Sequence, residues 1–109
     1  MQRLALFVLF SLLLAAPVVA QDAGSTLTVV AYDSFAYSED VLDQFTAETG
    51  IEVQVLRLGS TGSMVNQLIL TRDVPLGDVV YGIDNTLLGR ALGGDLFIPY
   101  ESPLLEYVD

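Results

Sequence analysis

Residues 26–32 read TLTVVAY, and this run decides the fold class. Its β-branched and aromatic residues suit a strand. Apolar side chains fall on both of its faces, as in a strand buried from both sides within a parallel sheet. After a loop at residues 33–37, Ser38 is placed to N-cap a helix with Glu39 and Asp40 in its first turn, where acids suit the helix dipole. Val41, Leu42 and Phe45 give that helix an apolar face, and Gly50 ends it. Residues 51–58 alternate Ile51, Val53 and Val55 against Glu52, Gln54 and Arg57, the pattern of a second strand with one wet face. The small-residue turn at 59–63, GSTGS, opens a second helix whose apolar positions are Met64, Val65, Leu68 and Ile69, and Pro75 is its stop. Residues 78–83, DVVYGI, form a third short strand. Asp84 or Asn85 caps a third helix, with Leu87, Leu88, Ala91 and Leu92 turned inward and Gly93-Gly94 closing it. The tail from Asp95 onward, aromatic and punctuated by Pro, has no clear period.

Strands alternating with helices predict an α/β fold with a parallel sheet and right-handed crossovers. A sheet of this type normally carries more strands than three. Residues 21–109 are therefore expected to be the N-terminal part of an incomplete lobe.

Upstream of the strand, Met1-Gln2-Arg3 is a short positive segment followed by an apolar run from Leu4, broken by Ser11 and ended by Pro17. Val18-Val19-Ala20 supplies small residues for signal-peptide cleavage after Ala20. The apolar stretch is shorter than the roughly 20 residues that span a bilayer. Residues 1–20 are read as a cleaved signal peptide, and the expected location is periplasmic or otherwise extracytoplasmic.

The whole chain of 109 residues carries 14 Asp plus Glu against 4 Arg, with no Lys, His or Cys, for a net charge of −10. Such a balance offers no patch to neutralise phosphates, so nucleic acid is not an expected partner. Lack of His and Cys removes the usual imidazole and thiolate metal sites and the Ser-His-Asp and Cys-His nucleophile pairs. No Lys is present for a Schiff base. The chain is read as a non-enzyme.

In an open parallel sheet, ligands sit at the C-terminal ends of the strands, and helix N-termini there present unpaired N–H groups to anions. Three segments fall in that position: Tyr32-Asp33-Ser34-Phe35, the turn holding Ser60, Thr61 and Gly62, and Gly82-Ile83-Asp84-Asn85. They offer an aromatic surface, an anion cradle and two acids. Each has a plainer reading. The 59–63 turn is also an ordinary helix start, and it is no P-loop, since no Gly-Lys-Ser/Thr follows. Asp84 is also an ordinary cap, and Tyr32 ordinary strand packing. Asp33 with Asp84 is a carboxylate pair that an enzyme could in principle use.

The stretches TLTVVAYDSF, NQLILT and DVVYGIDNTLLGRAL resemble the N-terminal region of periplasmic thiamine-binding proteins, where similar stretches read YTYDSF, LLNRL and DVVLGLDNNLL. The likeness runs from about residue 27 to residue 108. It implies a periplasmic-binding-protein-like fold of two hinged lobes, of which this chain supplies part of the first. It also implies a solute receptor that binds thiamine and its phosphate esters and hands them to the membrane permease of an ABC transporter. Thiamine would be the transported ligand, and no cofactor is implied. The resemblance assigns Tyr32, in the YDSF segment, to the ligand site, and the turn of Ser60, Thr61 and Gly62 to the phosphate end. Some relatives carry an Asp-Gly pair in that turn. The set of candidate ligand-binding residues is thus Tyr32, Asp33, Ser34, Ser60, Thr61, Gly62 and Asp84. The alternative solutes are ferric iron and a polyamine, served by the same architecture.

Overall fold

A computed structural model describes residues 24–108; the expected signal peptide and its cleavage point lie outside the described residues. The chain forms β1 (Thr26–Ala31), α1 (Glu39–Thr49), β2 (Glu52–Arg57), α2 (Thr61–Leu70), β3 (Val79–Tyr81) and α3 (Asn85–Gly93), then a short 3-10 helix at Pro103–Tyr107. This is the expected alternation, with the strands trimmed at their ends. The sheet is parallel throughout, in the order β2-β1-β3. The described residues make a small α/β unit with three strands and three α-helices, in keeping with part of an α/β domain.

Burial follows from strand position. β1 is the central strand, and its Val30 and Ala31 are fully buried. The β1–β2 and β1–β3 registers set Val30 level with Leu56 and Val80, and Val29 level with Val55 and Val79. Side chains alternate between faces along a strand, so Val30 and Val80 share one face. There they meet Met64 and Leu68 of α2, with Leu58, Leu76, Ile83 and Leu96 around them. The chain leaves β1 toward β2 and then crosses back past β1 to reach β3. Two right-handed crossovers running in opposite directions put α1 and α2 on opposite faces. The same register puts Arg57 level with Ala31, on the face of Val53 and Val55. The expected grouping of Arg57 with Glu52 and Gln54 is therefore corrected by strand parity.

Helix ends follow capping chemistry with two departures. Gly50 ends α1 in the left-handed conformation, its N–H bonded to the Thr46 carbonyl. Ser38 occupies the α1 N-cap in extended backbone but makes no side-chain cap bond. α2 ends at Leu70, well before Pro75: Thr71 bonds the Gln67 carbonyl through both N–H and Oγ1, and Val74 N–H closes a turn on the Thr71 carbonyl. The inward faces of α1 and α3 are narrower than their sequence pattern suggests. In α1, Leu42 and Thr46 are half-buried while Val41 is 62% exposed. In α3, which packs on α2, Leu87 and Ala91 lie inward while Leu88 and Leu92 are 45% and 58% exposed. Residues four apart form one stripe, and a helix resting on one neighbour buries one stripe only. Among the described residues no helix is long and apolar enough to cross a membrane.

β3 is short, and a side chain extends its pairing. Thr28 N–H donates to Asp78 Oδ2 at 2.8 Å, and Asp78 N–H donates to the Thr28 carbonyl at 2.8 Å. Gly77 lets the chain come this close, because a Cβ there would stand 2.7 Å from Val30 Cγ2 and 2.9 Å from the Thr28 carbonyl oxygen. Asp78→Ala leaves the Thr28 N–H without its carboxylate and is expected to cost about 1–2 kcal/mol. Asp78→Asn keeps an acceptor and should lose less than half of that. Urea unfolding midpoints of the two variants check the order.

Candidate ligand site at the strand C-termini

Strand order reverses between β1 and β3, and the crevice at such a reversal is where open α/β sheets bind ligands. A cavity of about 520 Å³ opens there, lined by Tyr32, Thr61, Tyr81, Gly82, Ile83 and Asp84. Three of the seven candidate residues, Tyr32, Thr61 and Asp84, are thus brought into one wall.

Tyr32 follows the last residue of β1. Its ring lies across the backbone of Gly82, where an added Cβ would stand 2.2 Å from Tyr32 Cδ1 and 2.6 Å from Cε1. Gly82 has φ +102°, a conformation that side-chain-bearing residues rarely adopt. The ring position therefore depends on a glycine 50 residues away.

Thr61 opens α2. Ser60 is its N-cap, with Oγ accepting from Ser63 N–H at 3.2 Å. The first amides of a helix have no intrahelical acceptor. With that of Ser63 taken, those of Thr61 and Gly62 remain at the α2 N-terminus, beside the cavity. Ser60 and Gly62 are outside the cavity lining. Gln67, which no sequence signal marked, braces this turn: its Nε2 donates to the Leu58 carbonyl at 3.1 Å and to Ser63 Oγ at 3.2 Å.

Asp84 does two things. Its Oδ1 caps α3 by accepting from Thr86 and Leu87 N–H, both at 3.0 Å, and the residue lines the cavity. The cap bonds use Oδ1 only and leave Oδ2 outside the cap. Asp33 is occupied elsewhere. Its N–H donates to the Gly59 carbonyl at 2.8 Å and its Oδ1 accepts from Gly59 N–H at 2.9 Å. This clamp ties the loop after β1 to the turn before α2, and Asp33 is not in the cavity wall. Asp33 and Asp84 therefore do not meet as a pair in the lining. Ser34 is exposed and also outside it.

An aromatic group borders the site that sequence reasoning did not assemble. Phe35 and Tyr81 have ring centroids 4.5 Å apart at 42°, and Phe35 and Tyr37 are 5.5 Å apart at 35°. The Arg57 guanidinium lies 5.5 Å from the Tyr37 ring centre, and its Nη2 donates to the Phe35 carbonyl at 3.0 Å. Their separation along the chain, from Phe35 to Tyr81, leaves no periodic signal.

A second cavity, about 550 Å³, lies at the other end of α2, between its C-terminal turn, the start of β3 and residues 96–100. Its wall is mostly apolar. Of its two charged residues, Arg72 and Asp78, the carboxylate of Asp78 is held by Thr28. The convergent polar groups that orient a ligand are at the strand C-termini, so the first cavity is the candidate site. Among the described residues no three His, Cys, Asp or Glu side chains are grouped to hold a metal ion. Comparison with models of protein families, with curated proteins and with solved structures finds no match for this chain.

Proposed function

We propose that this chain belongs to an extracytoplasmic solute receptor of periplasmic-binding-protein-like fold, exported by the signal peptide of residues 1–20. In this reading it binds thiamine and its phosphate esters and delivers them to the permease of an ABC transporter. One observation carries the reading: Tyr32, Thr61 and Asp84 line a single cavity at the reversal of strand order, beside the α2 N-terminus. Thiamine has a quaternary thiazolium cation at its centre and, in its esters, an anion at one end. Aromatic faces and a carboxylate favour the cation; the free amides at the start of α2 favour the phosphate. Closure of a second lobe over the cavity would bury both ends, as hinge-type binding proteins do. The resemblance of the YDSF and GIDN segments to thiamine-binding proteins supports the same assignment.

Calorimetric titration of thiamine into the full protein tests it, with ferric citrate and spermidine as controls. Sub-micromolar thiamine binding with silent controls is the expected outcome. Silence toward thiamine with heat from spermidine or iron would transfer the assignment to that solute. Tyr32→Ala is expected to weaken thiamine binding by about 1–2 kcal/mol through loss of a stacking or cation–π face. An unchanged dissociation constant would make Tyr32 a packing residue only.

A further inference from the structure

We infer that Tyr81 is a second stacking surface for the ligand and that Phe35 is the positioning residue that holds it. Tyr81 is the last residue of β3 and shares the cavity wall with Tyr32. It is 53% exposed although its strand pairs directly with the central one. Phe35 lies against the Tyr81 ring at 4.5 Å. The Phe35 loop is fixed at two points, by the Asp33–Gly59 clamp and by Arg57 on the Phe35 carbonyl. An exposed aromatic ring with a fixed support loses little freedom on stacking, which is the condition for an effective contact.

The wall also bears on what would stack there. Among the described residues its one charged member is Asp84, and none is Arg. Two π-faces and a carboxylate select a planar cation over a planar anion or neutral ring. That ligand chemistry rests on the receptor reading proposed above, whereas the placement of Tyr81 and Phe35 does not. Leu is apolar but has no ring, which makes Tyr81→Leu the informative exchange.

Residues 1–109 contain no Trp, so Tyr81→Trp adds an indole at the site, and its emission is read as the difference between this variant and the parent protein over the same titration. Saturable quenching of its emission by thiamine is expected, at concentrations matching the calorimetric dissociation constant. Tyr81→Phe should bind thiamine as the parent does, and Tyr81→Leu about 5- to 20-fold more weakly, the range of a lost aromatic face. Phe35→Leu should weaken binding about 2- to 5-fold, and Phe35→Tyr should restore it with the thermal midpoint unmoved. Unchanged affinity in Tyr81→Leu, or indole emission indifferent to bound thiamine, would overturn the inference. If the parent protein itself is silent toward thiamine, the thiamine assignment fails, and 1-methylpyridinium decides the Tyr81 question separately. Saturable quenching of the Trp variant by that planar cation supports a stacking surface; a strictly linear, collisional response overturns it.

Discussion

Gly82→Ala is expected to destabilise the fold by about 2–4 kcal/mol and to weaken thiamine binding by a factor of ten or more. Two costs add. At φ +102° any side chain incurs backbone strain of about 1–3 kcal/mol. The new Cβ would also stand 2.2 Å from Tyr32 Cδ1, so the ring must leave the cavity wall or the end of β3 must shift. A double-mutant cycle separates the two, since contacting residues couple while independent ones add. In a Tyr32→Ala background the steric part is relieved, and Gly82→Ala should cost only the backbone strain. Equal costs in both backgrounds, read from urea unfolding, would mean that the ring does not rest on Gly82. Affinity gives a second readout, because the strain alone leaves the ring face available whereas the clash removes it.

This Tyr32–Gly82 contact also marks the limit of sequence reading. Period and capping chemistry are local, and what they specify was legible: the alternation of strand and helix, a first strand buried from both sides as Val30 and Ala31 are, the Gly50 terminus, a helix start within the 59–63 turn, and Asp84 as one of two cap candidates for α3. The Ser102-Pro103 pair was a signal of the same kind, a cap residue followed by Pro at the first helical position, and it begins the 3-10 turn in the otherwise aperiodic tail. Pairings across the chain have no such signature. Nothing in the period of residues 33–37 says that Asp33 will clamp Gly59, and nothing in DVVYGI says that Asp78 will bond Thr28 or that Tyr81 will meet Phe35. Those contacts exist because β1 is central and its neighbours arrive from sequence positions on both sides. Strand order, not strand identity, was the missing information.

The same contacts divide the candidate residues by where each carboxylate or hydroxyl is held. Asp33 Oδ1 and Ser60 Oγ each accept from a backbone N–H outside the cavity wall, so these residues shape the site by fixing loops. Asp84 caps α3 and still faces the cavity. A helix cap and a ligand contact are therefore compatible in one residue, and the plainer reading of Asp84 does not displace the functional one. Charge fits this division: among the described residues no Arg of the wall would compete with a thiazolium for Asp84.

Met64→Ala is expected to have the other large effect, about 2–5 kcal/mol of stability, the range for truncating a long apolar side chain in a core. Met64 is fully buried and joins Val30 of the sheet to Leu68 of its own helix. The described core is thin: Val30, Ala31, Met64, Val65, Leu68 and Ala91 are its buried apolar residues. With few neighbours able to move into the space, little of the cavity left by the truncation will be refilled. Met64→Leu conserves volume and should cost less than about 1.5 kcal/mol. Leu88→Ala, on the exposed side of α3, is a surface change expected within about 0.5 kcal/mol. Urea midpoints of the three variants should fall in that order. Because α2 is held to the sheet mainly through Met64 and Leu68 while its N-terminus presents Thr61 to the cavity, Met64→Ala should also weaken binding of a phosphorylated ligand more than of thiamine itself. Equal losses for the two ligands would mean that α2 contributes to folding but not to recognition of the phosphate.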